Sequence, residues 1–285
     1  MVMVVGNVEG AHGVAVENDN EATTKTPSTR FLKRHILPSD NHGFIGRIYD
    51  LSIVAYHFDN YEALSNHPDC KYAFDTNEYV SLLARRVESL NLAGNMLWPD
   101  PFPTAISLPI SLYEWLTASA DVFLMRYISV VDCALQLVNA VYEAGLAPID
   151  CKMKKLKQAG VSASVIDHLG TMLDEQTRLR TERNARIHEG KERDFTTDDQ
   201  TFRIAARFER FNGIKGTDRH GRRINVNRSF REGLVGLQRE FNNSTRVLVH
   251  QLDALYDELW HEFEARFSPR IAMAKHGLNA GARRQ

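Results

Sequence analysis

The sequence contains little cysteine and lacks the short motifs of the common metal and nucleotide sites. Its three cysteines are Cys70, Cys133 and Cys151. A sparse, odd set argues against a disulfide framework and fits a reducing compartment, so we expect a cytoplasmic protein. No Cys-x-x-Cys, His-Glu-x-x-His or P-loop pattern occurs. His67 and Cys70 alone offer too few ligands for zinc, so neither a metal nor another cofactor is expected.

Long uninterrupted apolar runs are also absent. The central predicted helix, Leu108 to Gly145, has the length of a membrane span, but Asp121, Arg126 and Asp132 interrupt it. We therefore expect a buried core helix and no membrane contact. Residues 1–30 lack the basic segment and apolar stretch of a signal peptide, and their polar composition predicts a disordered tail.

The net charge is close to zero, but the two halves of the chain differ. Residues 1–150 hold 9 Lys and Arg against 18 Asp and Glu, whereas residues 151–285 hold 26 against 18. A surface that faces nucleic acid needs such a basic region, although solvated helices produce the same imbalance. The charge pattern is therefore mild support for an anionic partner of the second half.

Apolar residues recur at helical spacing through most of the chain, which predicts an all-α fold. The prolines between Trp98 and Pro103 interrupt this pattern and place the main boundary there. The last long helix is predicted over Ser229 to Phe267, with Pro269 ending it. The predicted divisions are a disordered tail (1–30), an N-terminal helical region (31–103), a helical domain (104–268) and a flexible C-terminal tail (269–285).

Three further segments follow the long central helix. A short basic helix is predicted to stop at Gly160. The next helix, capped by Ser162 or Ser164, is predicted to run to Gly190. Residues Gly213 to Val226 depart from helical spacing, and their glycines predict a loop or small hairpin.

The helix that is predicted to run to Gly190 carries Arg183, Asn184 and His188 near its C-terminal end. RNA supplies its own nucleophile, the 2′-hydroxyl, so its cleavage needs a proton acceptor, a proton donor and positive charge on the phosphate. Histidine suits the proton transfers because it titrates near neutral pH, and a guanidinium donates paired hydrogen bonds to phosphate oxygens. Arg183 and His188 supply both groups without a metal.

Helix geometry constrains this site. Asn184 and His188 are four residues apart and share a face, whereas Arg183 and His188 point about 140° away from one another. One straight helix does not readily direct both side chains at one phosphate. Either the helix ends near His188, as Gly190 suggests, or a second protomer supplies part of the site.

The Arg-Asn-x-x-x-His pattern resembles the Arg-x(4–6)-His signature of the HEPN superfamily, all-α proteins that include many metal-independent ribonucleases. A long helix, a short helix and a helix ending in the motif extend the resemblance from Leu108 to Gly190. The resemblance implies a helical bundle of HEPN type, here with an N-terminal helical extension. It also implies a homodimer that pairs two motifs in one cleft, RNA as substrate, and a toxin-like or antiviral role.

The resemblance further implies roles for individual residues. His188 would be the general acid and base, Arg183 the ligand of the transition-state phosphate, and Asn184 a positioning hydrogen-bond partner.

Three more side chains are candidates for substrate binding, namely Arg186, Arg180 and Asp132. Arg186 is expected to contact backbone phosphate, and Arg180 is a further candidate on the same helix. In a HEPN-like arrangement Asp132 would orient Arg183 or His188 from the neighbouring helix. The other interpretations of Asp132 are a partly exposed acid, or a salt bridge with an arginine at the edge of the core.

Two other functions remain open at this point. The chain could be a HEPN-like scaffold that binds RNA, a nucleotide or a partner protein without cleavage. It could also be a target of modification, or a subunit controlled by an antitoxin or activating protein. An arginine-rich helix end also occurs as a plain solvated face, because the helix dipole favours cations there.

Overall fold

The structure is a computed structural model that describes residues 32–104, 109–211 and 213–279. Predictions for the tail of residues 1–30, for the helix start at Leu108 and for residues 280–285 lie outside these ranges. Within them the secondary structure is helical, apart from one isolated bridge, which confirms the predicted all-α fold. The α-helices are α1 (Gly43–Ser52), α2 (Tyr61–Ser65), α3 (Pro68–Leu97), α4 (Leu112–Val141), α5 (Met153–Gln158), α6 (Ala163–Glu189), α7 (Asp199–Phe208) and α8 (Val226–Met273), with 3-10 turns at Ile53–His57, Pro148–Asp150 and Glu209–Phe211.

The long helices α3, α4, α6 and α8 pack against one another as a bundle. Trp115 Nε1 donates a hydrogen bond to the carbonyl of Met96, 3.3 Å away, which joins the start of α4 to the end of α3. At the opposite ends, the Tyr72 hydroxyl donates to the carbonyl of Val141 over 2.7 Å. α3 and α4 are therefore antiparallel.

α4 is the central helix of the bundle. It starts with a capping box, in which Ser111 Oγ accepts from the Glu114 amide and the Glu114 carboxylate accepts from the Ser111 amide. Most of its side chains are buried, and the ring of Phe123 packs 5.4 Å from that of Phe241 on α8. Across the described ranges, no helix combines the length and apolar composition of a membrane span.

The segment Trp98–Pro103 links α3 to α4 at the predicted boundary, and the helices on its two sides share one hydrophobic core. Trp98 itself contributes to this packing. Its Nε1 donates to the carbonyl of Leu32 over 2.6 Å, and its ring contacts that of Phe241 at 5.6 Å. Residues on either side of the linker therefore pack as one body.

The end of α8 differs from the sequence prediction. The helix continues through Pro269 to Met273, so the predicted end at Phe267 is too early. Phe267 and Ile271 are both buried in the core, and Arg270 Nη1 lies 3.0 Å from Glu143 Oε1 beyond the end of α4. These contacts stabilise the last turns and outweigh the hydrogen bond that a proline cannot donate.

The remaining connections follow the predictions. α5 ends before Gly160, which has a left-handed φ of 88°. In the segment from Gly213 to Val226, Thr217 and Arg223 form an antiparallel bridge, which confirms a small hairpin-like turn.

Two glycines of α8 give a matched test of the packing. A Cβ at Gly233 would lie 2.8 Å from Leu116 Cδ1 and 2.8 Å from Phe195 Cβ, whereas a Cβ at Gly236 meets nothing within 4 Å. Because Phe195 Cβ is fixed to its backbone, we expect Gly233→Ala to destabilise the fold by about 1–3 kcal/mol. Gly236→Ala should stabilise it by about 1 kcal/mol through helix propensity.

Urea unfolding of the two variants checks this difference in sign. Equal effects from both substitutions would show that α8 does not pack against Leu116 and Phe195 as closely as described.

Candidate functional site

The motif occupies the last turns of α6, and both predicted ends of this helix are confirmed. Ser162 Oγ accepts a hydrogen bond from the Val165 amide over 3.4 Å at the N-terminus. Gly190 ends the helix with φ 66° and ψ 19°, a left-handed conformation that favours glycine. The motif therefore lies where the helix stops.

The buried stripe of α6 ends before the motif. Leu179 is its last buried residue, and every residue from 180 to 189 is exposed or half-buried. The final turns of α6 consequently present their polar side chains at the surface beside α4.

Two arginines of this segment are held in ion pairs. The Arg178 guanidinium pairs with Glu240 on α8. Arg180 Nη2 lies 2.8 Å from Asp132 Oδ1 on α4, and it also approaches the carbonyl of Ile128 at 3.4 Å. Both side chains connect α6 to neighbouring helices.

Arg186 forms a third connection. Its Nε lies 2.6 Å from Asp121 Oδ1, Nη2 lies 3.4 Å from the carbonyl of Thr117, and its side chain is only 8% exposed. Since the guanidinium is engaged by α4, Arg186 holds the motif turn against that helix. The predicted phosphate contact of Arg186 would have to compete with this pair.

Arg183 differs from these three arginines. In the described part of the chain it makes neither a hydrogen bond nor an ion pair, and its Nε is buried without a partner. It lines an open groove of about 480 Å³ between α3, α4 and α6. The other residues lining this groove, the Arg183 groove, are Arg86, Val122, Met125, Arg126, Ile128, Ser129, Asp132 and Ile187.

The Arg183 groove is basic with an apolar rim. Arg86 and Arg126 lie in it beside Arg183, while the one carboxylate among its described lining residues, Asp132, pairs with Arg180. Such a surface attracts anions, since three guanidinium groups face one carboxylate that is already engaged.

The structure shows which side chain Asp132 contacts. Its hydrogen-bonding partner is Arg180, and no bond joins it to Arg183 or His188 in the described residues. The salt-bridge interpretation therefore describes Asp132. The physical reason is the position of Asp132 on α4. It lies opposite Arg180, which comes about one helical turn before Arg183 on α6.

Asn184 and His188 lie on the exposed side of the same turns. They share a face, as the four-residue spacing predicts, and neither lines the Arg183 groove. Of the two predicted catalytic residues, Arg183 lines this groove and His188 of the same chain does not.

The sequence predicted neither Arg86 on α3 nor Arg126 on α4 as a site residue. Their position beside Arg183 depends on how three helices pack. The one available signal was that Arg126, the one basic residue of α4, interrupts its apolar pattern together with Asp121 and Asp132.

These residues define a basic groove next to an exposed histidine. Comparison of the chain with protein-family models, with curated proteins and with solved structures found no match, so the resemblance to HEPN proteins depends on the motif residues and their order alone.

Proposed function

We propose that the protein is a metal-independent endoribonuclease of HEPN type that acts in the cytoplasm as a homodimer, with a toxin-like or antiviral role. The observation that carries this proposal is the state of Arg183. Arg178, Arg180 and Arg186 each pair with a carboxylate, whereas the Arg183 guanidinium has no partner in the described residues and lines a basic groove.

The chemistry needs two proton transfers and one charge interaction. His188 accepts the proton of the 2′-hydroxyl as its oxygen attacks phosphorus, and a proton returns to the departing 5′-oxygen. Arg183 donates hydrogen bonds to the non-bridging oxygens, where negative charge accumulates. The products are a 2′,3′-cyclic phosphate and a 5′-hydroxyl.

A second copy of the chain would supply His188 to the Arg183 groove, which His188 of the same chain does not line. Met125 and Ile187, which border the Arg183 groove, are 60% and 58% exposed. A two-fold contact across these apolar side chains would place His188 of one chain near Arg183 of the other. Sedimentation of the wild type and an Ile187→Glu variant tests this arrangement, and we expect the substitution to give monomers without cleavage activity.

The activity itself is tested with end-labelled RNA, incubated with the full chain in the presence and absence of EDTA. Cleavage that persists in EDTA and leaves 2′,3′-cyclic phosphate ends supports the proposal. Cleavage that strictly requires added Mg²⁺ would contradict it.

Arg183→Ala should weaken binding of RNA by about 10- to 150-fold, since a hydrogen bond to a charged group contributes about 1.5–3 kcal/mol. Arg178→Ala is the matched control, because it removes a guanidinium from the same helix that already pairs with Glu240. Titration of a labelled, uncleavable 2′-deoxy analogue at fixed salt measures both. Equal losses would mean that general charge, and not Arg183, binds the substrate.

One observation favours a second candidate, a HEPN-like scaffold that binds RNA without cleaving it. His188 does not line the groove of its own chain that Arg183 lines. For such a scaffold, RNA binding would still depend on Arg183, but the purified dimer would leave RNA intact.

A further inference from the structure

Asp69 and Cys70 begin α3 and are buried, with side chains that point into the protein. Asp69 is 1% exposed and Cys70 is 0% exposed. A carboxylate removed from water in this way needs partners that compensate for its charge.

Those partners come from the other end of the chain. His276 and Asn279 follow α8 and fold back onto the first turn of α3. His276 Nε2 lies 2.9 Å from Asp69 Oδ1 and 3.5 Å from Cys70 Sγ. Asn279 Nδ2 donates to Asp69 Oδ2 over 3.0 Å.

We propose that Asp69, Cys70 and His276 form a zinc site that fastens the segment after α8 to the start of α3. A carboxylate oxygen, a thiolate sulfur and an imidazole nitrogen belong to the donor set that zinc uses in proteins. Their ligand atoms all lie within 4.8 Å of one another.

The spacing of the three ligand atoms is slightly tighter than one tetrahedral zinc ion requires. Bonds of about 2.0–2.3 Å to zinc place neighbouring ligand atoms about 3.3–3.8 Å apart. The separations here are 2.9 Å for nitrogen to oxygen and 3.5 Å for nitrogen to sulfur. Small outward shifts of Asp69 and His276 would admit the ion, with water as the fourth ligand.

One ring nitrogen of His276, Nε2, faces both the Cys70 sulfur and the Asp69 carboxylate, as it would if all three atoms surrounded one ion. Asn279 holds the second oxygen of Asp69, as an outer hydrogen bond orients a metal-binding carboxylate.

Zinc at Nε2 places the ring proton on Nδ1. The contact from the Leu278 amide to His276 Nδ1, at 3.3 Å, must then open. This contact lies inside a short turn, so a change in the 276–278 backbone is sufficient.

The site is separate from the proposed ribonuclease site. Arg186 contacts Thr117 near the start of α4, and Tyr72, which follows Cys70 on α3, contacts Val141 at its end. These positions on α4 are about 36 Å apart at 1.5 Å rise per residue. Failure of one proposal therefore leaves the other unaffected.

The test uses the full chain, purified without a metal-affinity tag, and measures bound metal by mass spectrometry after dialysis. We expect about one zinc per chain, as one tetrahedral site would hold. Replacement by Co²⁺ should give the near-ultraviolet absorption of a thiolate bound to cobalt. His276→Ala and Cys70→Ser should each remove that absorption and most of the zinc.

Cys151→Ser is the matched control, since Cys151 is also buried but bonds only the carbonyl of Leu135 among the described residues. It should retain the zinc and the cobalt spectrum. If Cys70→Ser does not fold, the wild-type spectrum and His276→Ala still decide the matter. A wild-type chain without bound zinc and without a thiolate band on adding Co²⁺ would overturn the proposal.

Discussion

Replacement of His188 by alanine is expected to lower the rate of RNA cleavage by about 10²–10⁴-fold, the usual contribution of a general acid or base. The fold should be unaffected, because His188 is exposed and makes no hydrogen bond in the described part of the chain. Surface substitutions of this kind change stability by less than about 0.5 kcal/mol. The loss would therefore report chemistry and not unfolding.

The control for this experiment is His261→Ala, which removes an exposed histidine from α8. Cleavage rates of both variants are measured on the same labelled RNA, with circular dichroism to confirm helix content. Should His188→Ala cleave at the wild-type rate, His188 has no catalytic role and the scaffold interpretation gains support.

A mixing experiment extends the same expectation to the dimer. Arg183→Ala and His188→Ala homodimers each lack one group entirely, whereas a heterodimer retains one Arg183 and one His188. If the two-fold cleft needs one copy of each, mixing the inactive variants should restore up to about half of the activity, since random pairing makes half of the dimers mixed. A site confined to one chain would recover nothing.

Much of the fold was accessible from the sequence because its signals are local. Ser162 and Gly190 bound α6 where capping residues predict, and the helical spacing of apolar residues gave the all-α class. The end of α8 was missed because Pro269 is a local signal, and buried Phe267 and Ile271 outweigh it through tertiary contacts.

The candidate site was harder to predict from the sequence, because it depends on ion pairs between residues that are distant in sequence. Arg180, Arg183 and Arg186 look equivalent in the sequence. Their difference arises from the acids that face them, since Asp132 meets Arg180 and Asp121 meets Arg186. No spacing rule within α6 reveals that Arg183 is left without a carboxylate.

The position of the motif turn also depends on a buried acid of α8. Glu240, whose side chain is 10% exposed, pairs with Arg178 and lies 2.6 Å from Arg193 Nη1. Glu182 lies 3.6 Å from the same nitrogen of Arg193. Glu240 thereby connects α8 to two places. One is Arg178, which precedes the motif on α6, and the other is Arg193, in the segment that follows α6.

We expect Glu240→Ala to destabilise the protein by about 3–5 kcal/mol, because Arg193 would be left as a half-buried cation without its main partner. Glu175→Ala, at an exposed position of α6, should have little effect. Denaturant unfolding measures both. If Glu240→Ala lowers the free energy of unfolding by less than about 1 kcal/mol, these ion pairs contribute no more than ordinary surface pairs do.

The same carboxylate sets the pH dependence of stability. Burial alone would raise the pKa of Glu240, but hydrogen bonds from Arg193 and Arg178 hold it below its ordinary value. A lowered folded-state pKa means that the stabilisation is present above the unfolded pKa of about 4.3 and is lost as the pH falls below it. Unfolding free energy should therefore fall between about pH 5 and pH 3 more steeply in the wild type than in Glu240→Gln, which has no carboxylate to protonate. If the unfolding free energies of the two proteins fall equally steeply with pH, protonation of Glu240 does not cause the loss of stability in acid.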